Sequence, residues 1–168
     1  MKILVAEDDA NLAELYREAI HGRGHQVDFV HNGEECVTKF IHSNPYDAVI
    51  LDIKMPQKNG LDTAKDILEL APNQRILFVS GYIQETLTNS LSPLLQIVTI
   101  IQKPFEFSKL INVLEDLESY SKMCTLNLKV KNLDSFDPME PEVSRLLDEL
   151  IKKQKPDVWY ALGHIIIC

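Results

Sequence analysis

Five short apolar runs alternate with amphipathic helical patterns over the first 119 residues, and this alternation restricts the fold more than any other feature. Four of the runs are nearly continuous in apolar residues, which is typical of parallel strands covered on both faces. The second run mixes apolar and polar residues and is predicted to be an edge strand. The predicted strands are Ile3–Ala6, Val27–Val30, Ala48–Leu51, Ile76–Val79 and Val98–Ile101.

The segments between these runs place apolar residues at helical spacing. Asp9 is a suitable cap for the first helix, and Gly22 and Gly24 are suitable ends. Later stripes are 36–41, 61–71 and 110–117, and the segment Gln84–Leu91 is weakly patterned. Repeated βα alternation predicts an α/β fold, a doubly wound five-stranded parallel sheet with helices on both faces.

Residues 120–168 break the alternation, so we divide the chain into a body, 1–119, and a C-terminal extension, 120–168. The pattern predicts a short strand at Thr125–Val130, a helix over 143–151 and a strand at Val158–Cys168. Two interpretations of the extension are open. It docks on the body or on a second copy, which we favour, or it is a small partner-binding module. It lacks the second helix and the basic face that a helix-turn-helix needs.

Composition excludes several classes of function. The whole net charge of −8 lies in the body, because basic and acidic residues are equal in number after residue 119, and an acidic body disfavours nucleic acid. Apolar stretches of four or five residues are far short of the roughly 20 that span a bilayer. Three widely spaced cysteines indicate free thiols. We therefore expect a cytoplasmic protein that binds neither DNA directly nor membranes.

Charged and polar residues gather at the carboxyl ends of the predicted strands, where doubly wound sheets place their sites. In chain order these residues are Glu7, Asp8, Asp9, Asp52, Ser80 and Lys103. Clustered carboxylates repel one another, so a cation must offset their charge, and Mg²⁺ is the natural partner for oxygen ligands beside Lys103. Since Mg²⁺ favours phosphate oxygens, the pattern indicates phosphoryl transfer to a carboxylate nucleophile, Asp52.

The same strand ends carry four strings that together resemble the receiver domain of two-component response regulators. The resemblance covers about residues 1–119 and implies a flavodoxin-like sheet of strand order 2-1-3-4-5. The strings are Val5-Ala6-Glu7-Asp8-Asp9, Leu51-Asp52-Ile53-Lys54-Met55-Pro56 with Gly60, Val79-Ser80-Gly81 and Lys103-Pro104-Phe105.

The resemblance implies a role for each matched residue. Asp52 is the expected phosphoacceptor and one of the expected Mg²⁺ ligands. The other expected ligands are Asp8 directly, Glu7 mainly through water, and the backbone carbonyl of Lys54. The resemblance leaves Asp9 outside the matched acidic pair, as a helix cap.

On the opposite side of the expected site, Lys103 would pair with the phosphoryl group and Ser80 would move to hydrogen-bond it. The peptide bond between Lys103 and Pro104 would be cis.

Two further positions bear on the switch. Many receivers carry an aromatic residue three positions before the lysine, and here that residue is Ile100, so we expect backbone movement of the segment Gln84–Leu91 to report activation instead. Tyr82 follows Ser80 by two residues, and we expect it to shield the acyl phosphate from water.

The resemblance implies a signalling switch and not a metabolic enzyme. Its phosphoryl donor would be a sensor histidine kinase or a phosphotransfer protein, and its output a protein target or a second copy. Two alternatives remain open, a receiver-fold adaptor that works without phosphorylation and a true phosphohydrolase or nucleotide enzyme. The latter would need a phosphate-binding loop or a second acid after the nucleophile, and the sequence has neither.

Overall fold

The structure is a computed structural model that describes residues 1–43, 45–81, 97–131, 145, 158–162 and 165–167. Its strands are β1 (Lys2–Ala6), β2 (Gln26–Val30), β3 (Ala48–Asp52), β4 (Ile76–Ser80), β5 (Ile97–Gln102), β6 (Val158–Leu162) and β7 (Ile165–Ile167). Its helices are α1 (Ala10–His21), α2 (Gly33–His42), α3 (Gly60–Leu70), α4 (Phe107–Glu115) and α5 (Leu117–Lys131).

The strands form one sheet of order β2-β1-β3-β4-β5-β6-β7. Its first five strands are all parallel, which confirms the predicted doubly wound sheet of order 2-1-3-4-5 and the edge position of β2. Strands β6 and β7 extend it beyond β5 in antiparallel orientation. The chain order reverses on either side of β1, so the carboxyl ends of β1 and β3 flank the crevice where such folds place their sites.

Polar side chains set the starts of three helices. The Asp9 carboxylate accepts hydrogen bonds from the backbone N–H groups of Asn11, at 2.8 Å, and Leu12, at 3.2 Å. Asn32 and Asn59 accept equivalent bonds at the starts of α2 and α3, each at 2.9 Å. Because these caps satisfy N–H groups that the helix leaves unpaired, each helix starts at a defined residue beside a strand end.

The core consists of two apolar clusters, because alternate side chains of each strand point to opposite faces of the sheet. One cluster joins Ile3, Val5 and Ile50 to α1 and α4. The other joins Leu4 and Leu51 to α2 and α3. Both faces of the parallel strands are therefore buried, which explains why their sequences are nearly continuous in apolar residues.

The predicted strand at Thr125–Val130 is wrong, because that segment continues helix α5. Tyr120 and Cys124, four residues apart on the helix, pack against the core, and extending a formed helix costs less than starting a new strand. Leu117, assigned to the last stripe of the body, begins α5 and is 57% exposed.

Three sequence predictions concern residues outside the described ranges. These are the helix at Gln84–Leu91, the helix at 143–151 apart from the helical residue Arg145, and the shielding role of Tyr82. Among the residues that are described, no helix combines the length and the apolar character that a membrane span requires.

Candidate functional site

Three carboxylates meet at the crevice between β1 and β3. Glu7 and Asp8 directly follow β1, and Asp52 is the last residue of β3. One oxygen from each lies within 4.8 Å of the others, with Glu7 buried, Asp52 half-buried and Asp8 exposed. Oxygens bound to one Mg²⁺ ion stand at most about 4.2 Å apart, so a small approach of these groups would place all three around such an ion. The donor set, entirely carboxylate oxygen, suits that metal.

Lys103 joins two of the acids. Its Nζ donates to Asp52 Oδ2 at 2.5 Å and to Glu7 Oε2 at 3.0 Å. The Glu7 side chain is 2% exposed and that of Asp52 13%, so both ion pairs are largely removed from solvent. A partly buried pair is screened far less by salt than a surface pair. The lysine therefore offsets part of the negative charge that the three acids bring together.

Burial and charge shift the pKa values of this pair. Burial is the main reason that the pKa of Glu7 lies above its ordinary value of 4.5, although the hydrogen bond from Lys103 opposes the shift. Burial alone would lower the pKa of Lys103, but its hydrogen bonds to Asp52 and Glu7 outweigh that effect and raise it. Lys103 is therefore held as a cation beside the acids.

The loop after β3 fixes the Asp52 carboxylate through a backbone hydrogen bond. The backbone N–H of Lys54 donates to Asp52 Oδ1 at 3.0 Å, and the N–H of Gly60 donates to the Ile53 carbonyl at 3.0 Å. A Cβ at Gly60 would stand 2.1 Å from the Asp52 carbonyl oxygen. Gly60 therefore permits close packing of α3 against the end of β3.

Ser80 and Lys103 come together on the other side of Asp52. Ser80 ends β4 and is 3% exposed, and its carbonyl accepts a hydrogen bond from the backbone N–H of Lys103 at 2.8 Å. The Lys103–Pro104 peptide is cis, as the resemblance implied. Both residues thus sit at the ends of adjacent strands, and the Lys103 side chain reaches the acids.

The remaining predicted residues lie around this group. Asp9 caps α1 as predicted. Ile100 is fully buried in the cluster beneath α2 and α3. The backbone carbonyl of Lys54, predicted as a Mg²⁺ ligand, belongs to the loop directly after Asp52.

Tyr16 is a residue whose special position the sequence did not reveal. Its side chain is 1% exposed and packs edge-on against Phe107, with ring centroids 5.1 Å apart, and against Phe105. Its hydroxyl is buried with no hydrogen-bond partner among the described residues. Burial, with the charges of Glu7 and Asp52, raises the pKa of this phenol. The helical stripe predicted a core residue, and only the fold places it beneath the acids.

The parallel sheet and its acidic crevice define a class, the α/β receiver-type signalling domains. A family model described as the response regulator receiver domain matches residues 3–115. The chain belongs to that family, whose members are signalling switches of two-component systems.

Relatives differ in how much of their length this chain spans. The chain is 28% identical to the response regulator receiver protein CpdR of Brucella abortus over 116 residues, 69% of this chain and 95% of that protein. It is 27% identical to the protein MrkE of Klebsiella pneumoniae over 168 residues, 98% of this chain but 60% of MrkE. The second match therefore includes the C-terminal extension.

A solved structure agrees with the fold. The response regulator TrrA of Thermotoga maritima, crystallised in complex with Mg²⁺-BeF, is 33% identical to this chain and superposes with a TM-score of 0.61. The match covers 69% of this chain and 97% of TrrA.

Proposed function

We propose that this chain is a response regulator that accepts a phosphoryl group on Asp52, with Mg²⁺, from a sensor histidine kinase or a phosphotransfer protein. The observation that carries the proposal is the constellation of three carboxylates within 4.8 Å, joined by Lys103 at 2.5 Å from Asp52. Such a cluster combines a nucleophilic carboxylate with the oxygen ligands of a divalent ion and with a fixed cation.

Transfer needs little covalent chemistry from the protein. An oxygen of Asp52 attacks the phosphorus of the donor phosphohistidine, a new P–O bond forms, and the P–N bond breaks with its electron pair going to the imidazole nitrogen. Lys103 pairs with the incoming phosphoryl oxygens, and the Ser80 hydroxyl donates to one of them. Bound Mg²⁺ supplies positive charge that offsets the acids and the phosphoryl group. The proposed ligands are Asp8, Asp52, Glu7 and the carbonyl of Lys54.

The carboxylates are arranged for unequal roles. Asp52 is 13% exposed and lies at the end of the central strand β3, within reach of a donor. Glu7 is buried behind Lys103, which suits a charge that acts through water or through the lysine. TrrA, which was crystallised in complex with Mg²⁺-BeF, supports the proposal that this chain also uses Mg²⁺.

The proposed product is a switch and not a released metabolite. Phosphorylation replaces the single negative charge of the Asp52 carboxylate with an acyl phosphate that carries close to two, and hydrolysis by water restores the carboxylate. The charge shifts an equilibrium between two states of the loop at Ser80 and of the neighbouring strand β5. Output would be a changed affinity for a protein target or for a second copy.

Labelling of the full chain with Mg²⁺ and a small phosphodonor tests the proposal. The expected result is one acid-stable, base-labile phosphoryl group per chain, absent in Asp52→Asn. An unlabelled wild-type protein would contradict the proposal and favour an adaptor that works without phosphorylation. Rapid multiple turnover of the donor would also contradict it and favour a hydrolase.

A further inference from the structure

The outer edge of β5 is covered by the chain's own C-terminal hairpin, formed by β6 and β7. Strand β6 pairs antiparallel with β5 in five register pairs, from Ile97 opposite Leu162 to Ile101 opposite Val158. On its inner edge β5 pairs with β4 in five further register pairs. Without β6, β5 would present a row of unpaired N–H and C=O groups to any strand that could add to the sheet.

The hairpin depends on β5 for its strand structure. Its two strands pair over three positions only, from Tyr160 opposite Ile167 to Leu162 opposite Ile165. An isolated two-stranded hairpin is marginally stable at best in water. Pairing with β5 therefore accounts for much of the order in β6. A modest change in β5 would be enough to shift the equilibrium between the paired and the released hairpin.

Strand β5 also leads directly into the site. Lys103 follows its last residue, Gln102, and its side chain bonds to Asp52 while its backbone N–H bonds to the Ser80 carbonyl at 2.8 Å. Ile101, two residues before Lys103, is opposite Val158 of β6. Strand β5 thus contacts the hairpin along its edge and, through Lys103 at its end, the carboxylate of Asp52.

We propose that the β5 edge is a strand-binding surface whose occupant in the unphosphorylated protein is the hairpin Val158–Ile167, and that phosphorylation of Asp52 releases this hairpin. The inference rests on the proposed function. A phosphoryl group on Asp52 takes Lys103 from its bonds to the two acids and draws the end of β5 towards the crevice. The register with β6 then fits less well, and the freed edge becomes available to a partner strand.

Hydrogen–deuterium exchange of the full chain tests the release, with Mg²⁺ and beryllofluoride as the probe. We expect backbone amides of 158–162 to exchange about fivefold faster or more with the probe, a typical coupling between two sites. Amides near Asp52 and Ser80 would become better protected. Protection at the site with unchanged exchange in β6 would overturn the release while leaving the proposed function intact. No change in either region would overturn both.

Coupling between two sites is reciprocal, so a change that loosens the hairpin must raise the affinity of the chain for beryllofluoride with Mg²⁺. In Ala161→Pro, strand β6, which pairs on both of its edges, loses a backbone N–H and hence a ladder bond, whereas the matched control Ala161→Val keeps it. We expect the proline variant to bind beryllofluoride with Mg²⁺ about fivefold more tightly than the valine variant. Equal affinities, despite faster exchange of β6 in the proline variant, would overturn the coupling. Equal exchange in the two variants would show that pairing does not hold β6, which overturns it as well.

Discussion

Two neighbouring aspartates after β1 differ in what they do. Asp8 contributes an oxygen to the acidic cluster, whereas Asp9 points its carboxylate at the first turn of α1. The difference follows from chain direction, because β1 ends at Ala6 and α1 begins at Ala10, so successive side chains in the connection face different neighbours.

This difference gives a matched pair of substitutions. We expect Asp8→Asn to weaken Mg²⁺ binding about tenfold or more and to slow phosphorylation, because it removes a charged ligand. Asp9→Asn should leave both near wild type, since asparagine caps helices as well as aspartate does. Titration of Mg²⁺ followed by labelling measures both effects. Equal losses in the two variants would contradict the assignment of Asp8.

Two buried tyrosines allow a second comparison. The Tyr46 hydroxyl donates to Asp28 at 2.6 Å, whereas the Tyr16 hydroxyl has no partner among the described residues. We expect Tyr46→Phe to lower the free energy of unfolding by about 1 kcal/mol and Tyr16→Phe to leave it unchanged or raise it. Chemical denaturation measures both. A loss of about 2 kcal/mol in Tyr16→Phe would mean that this hydroxyl has a partner in solution.

At the scale of secondary structure elements, the loop between β3 and α3 is set by close packing. A Cβ at Gly60 would meet the Asp52 carbonyl oxygen at 2.1 Å and that carbonyl carbon at 3.0 Å, and backbone atoms cannot yield cheaply. A Cβ at Gly81, after β4, would meet nothing within 4 Å. The two glycines beside the site therefore differ in whether they tolerate a side chain.

We expect Gly60→Ala to lower the free energy of unfolding by about 2 kcal/mol or more, because the added methyl group forces α3 away from β3. Gly81→Ala should change it by less than about 0.5 kcal/mol. Thermal unfolding of the two variants beside the wild type measures the difference. Similar stability of both variants would show that the close approach at Gly60 relaxes without cost.

An arginine fixes the other end of the sheet. Arg75, before β4, donates to the carbonyls of Leu114, at 2.8 Å, and Val113, at 2.7 Å, near the end of α4. Its guanidinium also lies 4.5 Å from the ring centre of Tyr120, on α5. The hydrogen bonds hold α4 against the sheet, and the contact with Tyr120 attaches α5 to the body.

At the scale of the whole molecule, local pattern predicted the parallel unit because its strands are buried on both faces and must be apolar throughout. The strand ends predicted the site for a related reason, since parallel strands bring their carboxyl ends to one edge. The predicted strand at Thr125–Val130 failed because packing of Tyr120 and Cys124 favours a helix there.

Other features lay beyond local pattern. The bond between Lys103 and Glu7 joins residues 96 positions apart, and the pairing of β6 with β5 joins residues 57 to 65 positions apart. Such contacts depend on which elements become neighbours, and neither residue type nor spacing encodes that choice. The extension is thus part of the same sheet as the body, although the sequence alternation stops between them.

The most direct measurement is the mass of the proteolytic peptide that contains Asp52, after the full chain has been incubated with a small phosphodonor in the presence of Mg²⁺ or of a chelator. The account predicts that this peptide gains one phosphoryl group only when Mg²⁺ is present. A peptide that never gains mass, a gain that does not require the metal, or a phosphoryl group found on another residue would contradict it.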